Sequence, residues 1–150
     1  MEATLELLKL ALVGLVSGVF SYFISNWRHR SEKWWDLRVA AYQEVIGALS
    51  DITHYFDTHL DAEMMQRELS TEKTKELQAF WDNSYHKIRK AADAGAFLFS
   101  TKAEAALKSF MKGEGAHCDT YFEYLDCRLA STKKCLEELI KCSKCDLRLR

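Results

Sequence analysis

The chain has 150 residues, 48% hydrophobic and 29% charged, enough for about one folded domain and too apolar for wholesale disorder. Proline is absent and glycine occurs only six times, which argues against a turn-punctuated all-β fold and for long helices. Lys plus Arg number 21 against 22 Asp plus Glu, so there is no basic excess of the kind that duplex DNA or RNA demands.

From Leu10 to Trp27 no residue carries a formal charge. As a helix this run covers about 27 Å, close to the roughly 30 Å hydrocarbon core of a bilayer. The pattern predicts an N-terminal transmembrane anchor over residues 1–30, with Trp27 at one interface and the lipid bilayer as a partner. Glu2 and Glu6 stand where a signal peptide would need cations, so cleavage is not expected. Arg28, Arg30, Lys33 and Arg38 follow the run and Lys9 alone precedes it. The cationic flank implies a single-pass inner-membrane protein with a cytoplasmic C-terminal domain. Small residues at Ala11, Gly14, Gly18, Ser21 and Ser25 repeat at 3–4 spacing, a stripe that predicts self-association into a homo-oligomer.

Residues 31–150 read as an antiparallel helical bundle, giving an all-α fold. Ser31 is a candidate cap for a helix to about Leu60, with Trp35, Tyr42, Val45, Ile46, Leu49, Ile52, Phe56 and Leu60 inward. A connection falls between Asp61 and Thr71, where the apolar pattern weakens. The next helix starts near Ser70 or Thr71 and buries Leu77, Phe80, Trp81, Tyr85, Ile88, Ala91 and Ala92 until Gly95 permits a break. Thr101 and Glu104 stand at capping-box spacing before a short helix that ends at Gly113. A final helix runs from about Gly115 to Cys145, with Cys118, Phe122, Leu125, Leu129, Leu136 and Leu139 or Ile140 on one side.

Chemistry-bearing motifs are sparse. No phosphate-cradling glycine loop, nucleophile elbow or His-Glu-x-x-His is present, and the five histidines are scattered, so an enzyme is not expected. The cysteines are 118, 127, 135, 142 and 145. Cys135, Cys142 and Cys145 fall at the seven-and-three spacing of a buried helical stripe, where cysteine acts as a small hydrophobe. A zinc site or a redox pair at Cys142 and Cys145 is the alternative; no metal or cofactor is expected. Between Ser84 and Lys112 six cations face only Asp93 and Glu104. Asn83, His86, Lys87 and Lys90 share a helix face beside Trp81 and Tyr85, the pairing of cations and flat rings used for single strands or nucleotides. Arg128, Lys133, Lys134, Lys141, Lys144, Arg148 and Arg150 load the C-terminus. A solvated face, or contact with anionic lipid, is the ordinary explanation of such cations.

In layout the chain resembles the small membrane-anchored effectors of prokaryotic antiviral systems, of the CRISPR-associated type that senses cyclic tetra-adenylate. The Leu10–Trp27 run, its small-residue stripe and the proline-free body with basic-aromatic patches carry the resemblance. It implies a homo-oligomeric effector that binds a cyclic oligonucleotide and perturbs the membrane. Local charge and ring placement assign the ligand contacts to Arg38, His86, Lys87, Arg89 and Lys90. The rival expectation is a non-catalytic membrane scaffold or accessory subunit that docks a protein partner.

Overall fold

The computed structural model describes the backbone of residues 2–113 and 118–148, and the side chains of residues 17–22, 32–93, 95, 97–113 and 118–148. Four α-helices make up the described chain: α1 (Glu2–Met64), α2 (Thr71–Leu98), α3 (Thr101–Lys112) and α4 (Tyr121–Asp146).

The expected transmembrane helix followed by a separate bundle is corrected here. Among the described residues no helix is long and apolar enough to cross a membrane. Of the uncharged run, only Ser17 to Tyr22 have described side chains. The other side chains of the Leu10–Trp27 run lie outside the described residues. No break separates anchor from body either. Without proline or glycine between positions 19 and 46, nothing interrupts the backbone ladder, and Ser31 lies inside α1 instead of capping a new helix. The chain divides into two compact units at Asp36, six residues beyond the expected boundary at residue 30: Met1–Asp36 and Leu37–Arg150. In the first unit Gly18 and Ser21 of the small-residue stripe are exposed; the side chains of Ala11, Gly14 and Ser25 lie outside the described residues.

The second unit is an up-down-up-down four-helix bundle. Its topology follows from contacts. Tyr55 and Phe56 of α1 pack on Trp81 of α2, while Tyr42, thirteen residues earlier, packs on Phe99 just after α2, so these helices are antiparallel. Phe56 faces Tyr124 near the start of α4, and Tyr42 bonds Asp146 at its end, which sets α1 and α4 antiparallel as well. Cys135 on α4 donates to the Ala106 carbonyl, joining α4 to α3. The core is formed by Tyr42, Val45, Leu49, Ile52 and Phe56 of α1, Leu77 and Ile88 of α2, Leu107 and Phe110 of α3, and Leu125 and Leu139 of α4. Trp35, expected inward, is 41% exposed and belongs to the first unit.

The connections depend on local capping. Ser70 accepts from the Lys73 N–H at the start of α2, and Thr120 accepts from the Glu123 N–H at the start of α4. Gly95 does not end α2, which continues to Leu98. A Cβ there would lie at ordinary contact distance, 3.4 Å from Glu104 Cγ on α3 and 3.6 Å from Phe99. Thr101 is the first residue of α3, and its N-cap is Ser100, whose hydroxyl makes no capping bond to the helix.

Candidate functional site: the groove between α3 and α4

Two registers of side chains define this site. On α3, Ala103, Ala106, Leu107 and Phe110 are buried. Thr101, Lys102, Ala105 and Ser109 then turn along the edge of the helix. On α4 the core takes Leu125, Arg128, Leu129, Thr132, Cys135 and Leu139. The adjoining stripe Ser131, Lys134, Glu138, Lys141 and Cys145 repeats at three, four, three and four residues. Because the flanking residues are small at Ala105, Ala106, Ser109, Ala130 and Ser131, the two helices enclose an open groove of about 1150 Å³. Ligand pockets typically run from about 300 to 1,000 Å³, so this solvent-open groove is at the upper end of that range.

The charges on this groove are Lys102, Lys134 and Lys141 against Glu138 and Asp146. All three lysines are exposed, and none forms an ion pair among the described residues. Asp146 is already engaged. It accepts a short hydrogen bond from the Tyr42 hydroxyl and a further one from Ser100, which fastens the end of α4 to α1 and to the α2–α3 turn. Burial alone would raise this carboxyl. The bonds from Tyr42 and Ser100, together with the charge of Arg38, outweigh burial and hold Asp146 below the usual carboxylate range. Burial and the neighbouring carboxylate push the Tyr42 hydroxyl up to about 12. The groove's remaining charge is therefore three lysines against the exposed Glu138, which lies between Lys134 and Lys141 on the same stripe.

The thiols have separate environments. Cys135 is buried on the groove floor, and burial pushes its thiol up to about 12. Cys142 is half-buried and raised for the same first reason, while Cys145 is exposed. Among the described residues no disulfide joins any of the five cysteines, and no group of three or more His, Cys, Asp or Glu stands where it could hold a metal ion.

The residues expected to contact a ligand are elsewhere. Arg38 Nε donates to the Leu98 carbonyl at 3.0 Å, so its guanidinium serves the negative end of α2. His86 lies twelve residues before Leu98 on the same helix, about 18 Å along its axis, so the structure does not bring Arg38 to the α2 cluster. His86, Arg89 and Lys90 are exposed and Lys87 is half-buried; none of the five lines the groove. Nor are the neighbouring rings an open platform. Trp81 is enclosed by Tyr85 stacked at 5.5 Å, Tyr55 at 5.2 Å and Phe56 edge-on at 5.2 Å.

One side chain departs from its surroundings. Arg128 is 3% exposed, and Nε, Nη1 and Nη2 all lack a hydrogen-bond partner among the described residues. Its guanidinium carbon sits 5.0 Å from the centre of the Phe110 ring and 5.7 Å from that of Phe56. Sequence reasoning counts Arg128 among the C-terminal surface cations. The signal that separates it is its register: 125, 128, 132, 135 and 139 form the core stripe of α4.

Comparison with family models, with curated proteins and with solved structures finds no match, so the groove must be understood from its own geometry.

Proposed function

We propose that the Leu37–Arg150 bundle is a non-catalytic receptor for an anionic nucleotide messenger of the cyclic oligoadenylate class, and that the α3–α4 groove receives it. The observation that carries this is the association of a large open groove with three unpaired lysines, Lys102, Lys134 and Lys141, along its two walls. Lysine ammonium groups meet phosphates as point charges, and the floor of Ala105, Ala106 and Ala130 gives flat bases an apolar surface without steric blocks. The choice of messenger follows the resemblance of the proline-free helical body to antiviral effectors, without the membrane span. Binding, not chemistry, is then the output, with the ligand favouring one arrangement of a homo-oligomer over another. A second reading has its own support: small side chains along two antiparallel helices also allow close approach of a partner protein's helix.

Isothermal calorimetry of the full chain with cyclic tetra-adenylate discriminates these readings. The receptor reading expects saturable heat that is reduced at least tenfold in affinity by Lys134→Glu with Lys141→Glu. Lys87→Glu with Lys90→Glu on α2 is expected to leave affinity within twofold. No heat from a panel of cyclic oligoadenylates overturns the receptor reading in favour of partner docking. Loss through the α2 pair alone would move the site to the α2 face.

A further inference from the structure

Cys118 and Cys127 are separated along the chain, yet their thiols meet. Cys118 lies two residues before Thr120, the N-cap of α4, and Cys127 lies in the second turn of that helix. Their side chains are hydrogen-bonded to each other. Glu123 and Cys127, four residues apart, share one face of α4, and the Glu123 carboxylate also acts on the Cys118 thiol. The chain entering α4 therefore folds back along that face and brings the two sulfurs together. The spacing of Cys142 and Cys145 favours them as a redox pair, but Cys142 is bonded to Ser100 instead.

A thiol–thiol contact is the starting arrangement for a disulfide, because the sulfurs need only close from hydrogen-bond contact to the roughly 2.05 Å of the S–S bond. Cys118 belongs to non-helical backbone, whose torsions absorb that movement without breaking a helix bond. Access is graded: Cys127 is exposed and Cys118 half-buried. Burial, the adjacent Cys127 and the carboxylates of Glu123 and Asp119 push the Cys118 thiol up, which makes it a weak first nucleophile at neutral pH. The same carboxylates disfavour an anionic oxidant such as glutathione disulfide and leave a neutral peroxide unopposed.

We propose that Cys118 and Cys127 form a dithiol site oxidised by hydrogen peroxide, in which exposed Cys127 reacts first and Cys118 resolves the product into a disulfide. The Cys127 thiolate attacks one peroxide oxygen. The S–O bond forms, the O–O bond breaks, and the departing hydroxide is protonated to water. Cys118 then gives up its proton and attacks the sulfenic sulfur; the S–S bond forms, the S–O bond breaks, and a second hydroxide leaves as water. Two thiols and one peroxide thus give one disulfide and two waters, with sulfur oxidised and peroxide reduced. Neither residue lines the α3–α4 groove, so this site goes beyond the receptor reading and does not depend on it.

The test treats the reduced full chain with hydrogen peroxide at pH 7, blocks the remaining thiols with iodoacetamide and digests with trypsin. Both cysteines fall in one tryptic peptide, 113–128, cut after Lys112 and after Arg128. That peptide is expected to lack both alkyl groups and two hydrogens at a peroxide dose that leaves Cys145 at least nine-tenths alkylated. Dithiothreitol before alkylation is expected to restore both groups. In Cys118→Ser the second step is blocked, and Cys127 is expected to take up dimedone, which traps sulfenic acids. A peptide 113–128 that keeps both alkyl groups overturns the site, as does a Cys142–Cys145 disulfide formed in preference. Disulfide-linked dimers through Cys127, or no dimedone on Cys127 in Cys118→Ser, overturn it equally.

Discussion

The Tyr42–Asp146–Ser100 contact concentrates several physical effects in three side chains. Asp146 carries a carboxyl held below its ordinary range, so it contributes stability that is present above the unfolded carboxyl value of about 4 and is lost as pH falls through the lower folded value. Tyr42 behaves oppositely. Its hydroxyl is raised to about 12, so its contribution is complete below about pH 10 and is lost as pH rises from there towards 12. Urea unfolding midpoints across pH should therefore decline at both ends. Asp146→Asn should cost about 1–3 kcal/mol at neutral pH and flatten the acid decline, because a hydrogen bond to a charged acceptor is worth roughly that much. An unchanged acid limb in the variant would contradict this role. Among the thiols, exposed Cys127 and Cys145 should react with a maleimide at pH 7 well before Cys135, whose buried thiol is raised to about 12. Mass spectrometry of partially labelled protein reads that order directly.

At the scale of the element, caps and glycines determine where helices begin and how closely they approach. Thr120→Ala removes the acceptor for the Glu123 N–H and should destabilise by about 1 kcal/mol in chemical unfolding. Gly95→Ala should do the reverse. Helix-interior glycine costs up to about 1 kcal/mol relative to alanine, and the new Cβ would meet the flexible Glu104 side chain at ordinary contact distance. A gain of about 0.5–1 kcal/mol is expected in the same assay. The cap at Ser70 and the stripe from Tyr42 to Leu60 were legible because they depend on neighbours within one turn. Two other boundaries were not. Ser31 looks like a cap, but capping chemistry is offered to every Ser in a chain and is used only where the backbone breaks. Gly95 looks like a stop, yet α2 continues through it to Leu98, because a glycine ends a helix only where the backbone turns away.

On the scale of the whole molecule, charge counts along the sequence and charge placement in the bundle give different answers. The density of cations between Ser84 and Lys112 drew the expected site to α2, whereas Arg38 is consumed by the Leu98 carbonyl and Trp81 by its aromatic neighbours. The groove joins residues 100–110 to residues 130–146, a pairing set by the up-down-up-down topology and invisible to any window moved along the chain. Half of it is nevertheless present in the 3–4 stripe Ser131, Lys134, Glu138, Lys141 and Cys145, whereas Arg128, counted with the surface cations, is separated from them only by its core register. The long α1 helix illustrates the converse: an uncharged run marks helix readily, but its solvent is a separate question.

Amide chemical-shift mapping of the full chain during titration with cyclic tetra-adenylate tests the central claim most directly. The groove account predicts saturable shifts concentrated in residues 100–110 and 130–146. Shifts confined to residues 83–90 on α2, or none at saturating ligand, would contradict it.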